Sequence, residues 1–175
     1  MFNFKYKIAK FKSKRGNREA LYDYFREKGY KIGKNCNICS RLSENEGYLV
    51  EIGDNTVISY NVNFITHDAS YGAIIKRKYI DLYGKIIIGN NCFIGAGSIL
   101  LYGVKLGDNT IVAAGSVVTK SFKEGNVVIG GNPAKVICDT KTFIDKYEKN
   151  LIDTLNLNSN QKKERVLNSS KLIER

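Results

Sequence analysis

The chain has 175 residues, 43% hydrophobic and 26% charged, which is the size and make-up of one globular domain with a short appendage. No stretch is apolar enough to predict a transmembrane helix, and lysines interrupt residues 1–16 too often for the core of a signal peptide. We therefore expect a cytoplasmic protein, in which four cysteines do not imply a disulfide framework.

The net charge of +11 is concentrated at the N-terminus. Residues 1–34 hold eleven Lys and Arg against three Asp and Glu, and 11 − 3 = +8, so the rest of the chain is nearly balanced. Such a basic segment fits an anionic membrane surface, an acidic glycan or the phosphates of a cofactor, and a solvated surface explains it equally well. Nucleic acid fits less well, since no recognisable binding motif accompanies the charge.

A short helix is predicted between Asn17 and Gly29. Asn17 can cap its start, and Gly29 suits the position just after its end. Leu21, Tyr24 and Phe25 share one face of this helix. We expect that face to cap the open end of the following fold rather than to bind a membrane, while the lysine-rich segment before it remains a candidate for lipid contact.

From Ile32 onward the sequence repeats every six residues. Hexads from Ile88 read IGNNCF, IGAGSI, LLYGVK, LGDNTI, VAAGSV and VTKSFK, and IGDNTV, ISYNVN and FITHDA run in the same phase from Ile52. A period of six fits neither an amphipathic helix nor an alternating strand. It fits short strands joined by tight turns and stacked into a parallel β-solenoid, with three hexads in each triangular coil. We expect the aliphatic first position to point inward and the small fifth position to fit where the coil narrows.

The spacing of Cys36 and Cys39 also occurs in zinc and redox sites. However, Cys36 and Cys92 both occupy the small fifth position of a hexad, where Thr and Ser stand in other hexads. One histidine and two distant cysteines are then all that remain as ligands. We therefore predict no metal site.

The only histidine of the chain, His67, lies in the stretch NFITHDAS. Directly after it the hexads stop for residues 69–85, and they resume in phase at Ile86. A loop extruded from a regular coil beside the only histidine has the form of an arm that covers a substrate. An imidazole is also suited to take a proton from a hydroxyl group near neutral pH.

These motifs resemble the hexapeptide-repeat acyltransferases, most closely the maltose and galactoside acetyltransferase-like group and the sugar or capsular-polysaccharide O-acetyltransferases. The matching segments are YLVEIGDNTVIS (48–59), NFITHD (63–68), the hexads of residues 86–120 and GNPAKVI (131–137). The resemblance implies an all-β solenoid, a left-handed parallel β-helix of hexapeptide repeats with a short N-terminal helix and a C-terminal helical extension. It also implies a homotrimer with the active site between subunits and acetyl-CoA as co-substrate.

The resemblance places the catalytic histidine at His67, as general base for direct attack on the thioester. Asp68, Asp81 and Glu46 are candidates for orienting its ring; Asp68 is assigned with His67 to catalysis, and Glu46 and Asp81 to the substrate side. The family often has Ser-Glu-Pro-Tyr where this chain has Asn45–Tyr48 without the proline. Because this segment helps to shape the acceptor pocket in the family, the resemblance does not predict which acceptor binds.

For the cofactor, the resemblance places pantetheine contacts at Ala96 and Ala114, small residues that let an extended chain lie close to the wall. Thr119 and Lys120 match positions near the adenine end of acetyl-CoA, and Lys135 matches a basic residue near its phosphates. Turn geometry explains the alanines as well, and simple solvation explains the lysines.

Beyond Ile137 the hexads are absent. Large apolar residues then recur every four positions, at Phe143, Tyr147, Leu151 and Leu155, and predict a helix, whereas the tail from residue 156 has few apolar residues. The predicted organisation is a basic arm with a capping helix (residues 1–31), a catalytic β-helix (32–137) with an extruded loop (69–85), and a C-terminal extension (138–175).

The function predicted first is an acetyl-CoA-dependent O-acetyltransferase acting on a sugar or polysaccharide. The alternatives are an N-acetyltransferase for a nucleotide-linked amino sugar and a non-catalytic β-solenoid binding module. Lys76, Arg77 and Lys78 in the extruded loop suit an acidic glycan or a nucleotide-linked sugar. The expected partners are therefore the glycan acceptor and two further copies of the chain, with a peripheral contact to an anionic membrane or glycan left open.

Overall fold

The structure is a computed structural model that describes residues 4–173. The first three residues of the predicted N-terminal arm and the last two of the predicted C-terminal extension lie outside the described residues. The helices are α1 (Phe4–Lys14), α2 (Glu19–Glu27), α3 (Ser70–Ile74), α4 (Thr140–Tyr147) and α5 (Ser159–Leu167), with short 3₁₀ turns at Gly47–Leu49 and Glu148–Asn150.

The strands are mostly two or three residues long, as a six-residue repeat requires. They are β1 (Lys31–Ile32), β2 (Asn37–Ile38), β3 (Val50–Ile52), β4 (Val57–Ile58), β5 (Asn63–Ile65), β6 (His67–Asp68), β7 (Leu82–Tyr83), β8 (Ile86–Ile88), β9 (Phe93–Ile94), β10 (Ile99–Leu101), β11 (Lys105–Leu106), β12 (Ile111–Val112), β13 (Val117–Val118), β14 (Val127–Gly131) and β15 (Ala134–Asp139).

Successive strands enter three sheets in turn and pair in parallel within each sheet. Among the described residues the parallel orders are β1-β3-β8-β11, β2-β4-β9-β12-β14 and β5-β10-β13, and β15 adds to β14 in antiparallel orientation. Ile87 pairs with Lys105, and 105 − 87 = 18 residues, so one coil holds three hexads. The predicted stacking of short parallel strands is therefore confirmed.

The hexad positions divide between core and surface as predicted. First-position side chains are buried at Ile52, Ile58, Ile88, Ile94, Leu100, Leu106, Val112 and Val118. Buried hydroxyl groups at the fifth position donate hydrogen bonds to backbone carbonyls: Thr56 Oγ1 to Gly89 O at 2.9 Å and Ser98 Oγ to Ala113 O at 3.1 Å. These bonds let small polar side chains occupy the narrow part of the coil without an unsatisfied donor.

Asparagines at the coil corners form a ladder along the solenoid. Asn55 Nδ2 donates to Asn91 Oδ1 at 3.1 Å, and Asn35 Nδ2 donates to Asn55 Oδ1 at 3.2 Å. These asparagines have φ near +55°, a left-handed conformation that Asn tolerates better than most residues. The same corner is therefore repeated in successive coils by one residue type.

Two loops leave this regular path. Residues 39–49 follow β2, and residues 69–81 form an arm that contains α3 and is tied at its base by antiparallel pairing of β6 with β7. Val50 pairs with Ile86, and 86 − 50 = 36 residues, which is twice the 18 residues of one coil. The arm and its base therefore occupy the length of one extra coil before the core resumes. Both excursions carry residues predicted to lie in the active site.

The N-terminal helices cover the first coil. The Tyr22 hydroxyl donates to Cys36 O at 3.2 Å and accepts from the backbone N–H of Ile38 at 3.0 Å. Asn17 Oδ1 accepts from Ala20 N at 3.1 Å, in the capping role predicted for it. Helix α1 was not predicted, because its lysines obscure a stripe in which Tyr6 and Ala9 pack on α2.

The C-terminal extension contains helices, but the longer helix predicted from a four-residue spacing is wrong beyond Tyr147. A 3₁₀ turn follows, Leu151 is extended, and the Asp153 carboxylate accepts from the N–H of Leu155 at 2.8 Å, a turn that competes with helix. Among the described residues, no helix combines the length and apolar character needed to cross a bilayer.

Candidate active site

Two loops from different coils bring Glu46 and His67 together. Glu46 Oε2 lies 2.8 Å from Nδ1 of His67, and the same oxygen accepts a hydrogen bond from the hydroxyl of Thr66. The His67 side chain is 47% exposed, whereas that of Glu46 is 18% exposed. The pair therefore consists of a sheltered carboxylate and an imidazole that a ligand can reach.

Tyr30 holds the loop that carries Glu46 (residues 39–49) in place. The Tyr30 hydroxyl donates to Ser43 O at 2.9 Å, and Leu42 is buried in the core. Gly47 lies so close to the Tyr30 ring that a Cβ there would approach it to 2.3 Å. Glu46 itself has φ +58°. The close packing around Gly47 thus directs the Glu46 side chain toward His67.

His67 is placed by the strand pair at the base of the arm. It pairs with Tyr83 in the antiparallel ladder, and the two rings lie 5.7 Å apart. The neighbouring Asp68 accepts from the backbone N–H of Ser70 at 2.7 Å and from the Tyr102 hydroxyl at 3.1 Å. The backbone of His67 is therefore anchored on both sides while its ring remains accessible.

The hydrogen bond to Glu46 selects the state of the imidazole. An ionised carboxylate accepts, so Nδ1 carries the proton and the lone pair of the neutral ring is on Nε2. The hydrogen bond and the charge of Glu46 raise the pKa of His67 above its ordinary value, with smaller contributions from Asp81 and Asp68. In turn, the hydrogen bonds from Thr66 and His67 lower the pKa of Glu46. The arrangement is suited to taking a proton at Nε2.

A Glu46→Gln substitution is expected to lower the pKa of His67, because the neutral amide no longer favours the imidazolium. As the chain has one histidine, a proton NMR titration of the imidazole reports this pKa without assignment. Asp81→Asn is the control and should lower the pKa by less, because Asp81 contributes only through its charge at longer range. An unchanged His67 pKa in Glu46→Gln would contradict the pairing.

Of the three candidates for orienting His67, the structure brings Glu46 into contact. The Asp68 carboxylate is engaged with Ser70 and Tyr102. Asp81 accepts from the Tyr83 hydroxyl at 3.3 Å and lies at the C-terminal end of the arm. Both aspartates therefore stabilise the arm through other partners and act on the His67 ring only indirectly.

The predicted cofactor residues lie on the wall of the solenoid. Ala96 and Ala114 are one coil apart and exposed, and Ala96 O accepts from the N–H of Gly115 at 2.8 Å. The two alanines therefore lie on neighbouring coils that this hydrogen bond connects.

The other three predicted cofactor residues are also exposed. Thr119 and Lys120 follow β13, and the Lys120 ammonium lies 5.6 Å from the centre of the Phe122 ring. Lys135 is on β15 opposite Gly130. Within residues 4–173, no hydrogen bond or ion pair joins the five predicted cofactor residues to His67.

Sequence reasoning did not single out Thr66, Tyr83 and Tyr102. Thr66 stands beside His67 in the quoted motif, so its position was the available signal. The two tyrosines come from the far side of the arm and from the next coil, and nothing in their spacing predicted the contacts. Among the described residues, no group of three or more His, Cys, Asp and Glu side chains is placed to hold a metal ion.

Comparison with known proteins adds to this geometry. Residues 85–120 match a family described as "hexapeptide repeat of succinyl-transferase". The chain is 45% identical to Protein CapG of Staphylococcus aureus over 154 residues, covering 85% of this chain and 88% of CapG. 

Solved structures of similar fold include two acetyltransferases. A maltose O-acetyltransferase from Clostridium difficile 630 superposes with a TM-score of 0.53 at 26% identity, over 77% of this chain and 86% of the other. A galactoside acetyltransferase in complex with coenzyme A gives a TM-score of 0.52 at 25% identity, over 73% of each chain.

Proposed function

Since this chain belongs to the hexapeptide-repeat acyltransferase family and is an acetyltransferase, we propose that it transfers the acetyl group of acetyl-CoA to a hydroxyl group of a sugar or polysaccharide. The observation that carries the proposal is the contact between Glu46 and Nδ1 of His67, which leaves Nε2 of an exposed imidazole to accept a proton. Acetyl-CoA is made inside cells, which supports a cytoplasmic site of action.

His67 acts as general base in this reaction. Nε2 takes the proton of the acceptor hydroxyl while the hydroxyl oxygen attacks the thioester carbonyl carbon of acetyl-CoA, and a tetrahedral oxyanion forms. Backbone N–H groups beside the cleft stabilise that charge. The C–S bond then breaks, the acetyl ester is released, and the proton on Nε2 passes to the departing thiolate of CoA. No acyl-enzyme is needed.

Glu46 is a positioning residue in this mechanism. Its carboxylate is occupied by His67 and Thr66, which supports orientation of the ring rather than binding of the acceptor. It also stabilises the imidazolium formed when Nε2 is protonated. Asp68 contributes through the anchoring of the arm and through its charge. Asp81, which accepts from the Tyr83 hydroxyl, is proposed to contact the acceptor.

The composition of the arm (residues 69–81) favours a glycan as the acceptor. It carries the cations Lys76, Arg77 and Lys78, and the Tyr79 side chain is 96% exposed. An exposed aromatic ring offers a face for a sugar, and the cations suit acidic groups on a glycan. A neutral sugar would use the ring alone.

Acetyl-CoA is proposed to lie along Ala96 and Ala114, with Thr119 and Lys120 toward the adenine and Lys135 toward the phosphates. In the proposed cleft between subunits, the histidine of one copy faces the cofactor residues of the next. We further infer a left-handed coil and a homotrimer, as is typical of the family. Light scattering tests the trimer, and a monodisperse monomer would contradict the shared cleft.

A Lys135→Glu substitution should raise the Kd for acetyl-CoA about tenfold, because a charge-assisted contact to phosphate is replaced by repulsion. Lys162→Glu on α5 changes the net charge equally at another exposed lysine and serves as the control. Isothermal titration calorimetry measures both. Equal effects of the two substitutions would mean that Lys135 acts only through the overall charge of the protein.

The experiment that tests the function is release of CoA thiol from acetyl-CoA in the presence of a panel of sugars, polysaccharides and amino sugars. Hydroxyl-dependent release, with an ester product identified by mass spectrometry, supports the proposal. Turnover restricted to amino sugars with an amide product would replace it by the N-acetyltransferase alternative. Failure to bind acetyl-CoA would favour the non-catalytic binding module.

A further inference from the structure

Helix α1 has two apolar stripes on opposite sides. One contains Tyr6 and Ala9, which are buried against α2. The other contains Phe4, Ile8 and Phe11, which are 75%, 41% and 56% exposed. Residues at positions i, i+4 and i+7 share one helix face, so these three form a continuous outer stripe. A helix that only capped the solenoid would need the inner stripe alone.

The margins of the outer stripe are basic. Helix α1 contains five lysines and no acidic residue (FKYKIAKFKSK). At 3.6 residues per turn, Lys12 lies on one margin and Lys7 on the other, and both are exposed. The next residue after the helix, Arg15, places its guanidinium 4.5 Å from the Phe11 ring centre. Apolar and basic groups therefore alternate across one surface.

The combination of apolar and basic residues distinguishes among three binding partners for this helix face: a second copy of the chain, an acidic glycan and a lipid bilayer. A second copy of α1 would bring two surfaces of the same strong positive charge together, because residues 1–34 carry +8. An acidic glycan would use the lysines and one aromatic face, and would leave the aliphatic Ile8 and the rest of the continuous stripe in water. A bilayer with anionic lipids satisfies both features, since lysine heads reach the headgroups while the apolar side chains enter the interface.

We propose that the outer stripe of α1 docks this protein on an anionic lipid bilayer, with the helix lying in the plane of the membrane surface. Eleven residues give a helix of about 16 Å, too short to cross a bilayer but long enough to lie in its interface. Packing of the inner stripe on α2 fixes the direction in which the solenoid stands away from the membrane. The proposal is independent of the acetyl acceptor and of the role of His67.

Cosedimentation of the full chain with vesicles tests the proposal, with phosphatidylcholine alone compared with phosphatidylcholine mixed with phosphatidylglycerol. We expect binding to the mixed vesicles that weakens with salt, and much weaker binding to phosphatidylcholine alone. Lys7→Glu/Lys12→Glu should weaken binding at least about twentyfold, since each basic residue near an anionic surface contributes about fivefold. Phe4→Ser/Phe11→Ser should weaken it at least about tenfold through loss of inserted apolar surface.

Two control variants match these changes elsewhere. Lys162→Glu/Lys163→Glu on α5 alters the net charge by the same amount, and Leu155→Ser/Leu167→Ser removes exposed apolar side chains from the C-terminal extension. Both should bind like the unchanged protein, and circular dichroism should show that all variants keep their helices. Equal loss in the α1 and α5 charge variants would overturn the proposal, as would undiminished binding of Phe4→Ser/Phe11→Ser. A change in oligomer mass on light scattering for that variant would assign the stripe to a contact between copies instead.

Discussion

Acetyl transfer by a His67→Ala variant is expected to be about 10²–10⁴-fold slower than by the unchanged protein, the usual cost of losing a general base. The reason is that an alcohol is a weak nucleophile near neutral pH, and the described site offers Nε2 of His67 as the proton acceptor, with Glu46 on Nδ1. The loss should fall on kcat, since the residues proposed to hold acetyl-CoA are unchanged. Steady-state kinetics with the acceptor found in the panel measure it.

Glu46→Gln is the matched comparison for this variant. It keeps the base and the shape of the site but removes the charge that raises the pKa of His67. Because the neutral imidazole is the active form, activity rises as pH increases through the His67 pKa, and the acid limb of the pH profile should move to lower pH in Glu46→Gln. Retention of full activity by His67→Ala with unchanged pH dependence would remove His67 from the mechanism.

The second large effect concerns stability. Ile88→Ala is expected to lower the free energy of unfolding by about 2–5 kcal/mol, because it leaves a cavity at a first hexad position that is 2% exposed. Ile87, its neighbour on β8, points outward between Glu51 and Lys105 in the same sheet. Ile87→Ala removes the same atoms and should cost less than about 1 kcal/mol.

Urea unfolding followed by circular dichroism compares the two variants, at equal protein concentration because assembly contributes to stability. The difference between them, rather than either value alone, reports the inward direction of the first hexad position. Similar midpoints for the two variants would mean that the alternation of buried and outward side chains along β8 does not control the stability of the coil.

The coil was predictable from sequence because each inward side chain is set by its own hexad. Ile88, Ile94 and Leu100 repeat an identical local environment, so six-residue spacing carries the whole pattern. The orienting partner of His67 was not predictable in the same way. Glu46 is 21 residues away and reaches the ring only because two irregular loops leave adjacent coils on the same side.

Helix α1 shows a different limit of sequence reasoning. Its two apolar stripes, represented by Tyr6 and Phe11, place aromatic residues on opposite faces, and the lysines between them conceal a helical period. The segment after α4 shows a third limit: a 3₁₀ turn follows Tyr147, and the N–H of Leu155 donates to the Asp153 carboxylate, local contacts that the four-residue spacing did not predict. In each case a contact outside the repeat determines the structure.

The pairing of Val50 with Ile86 across the arm has a consequence for how such an enzyme diversifies. The arm leaves and re-enters the solenoid at one closed base, where β6 and β7 pair, so its length and composition can change while every coil keeps its neighbours. The arm, which we propose meets the acceptor, can therefore vary without disturbing the core. The solenoid and the proposed acceptor-binding arm are thus separable parts, joined at the strand that carries His67.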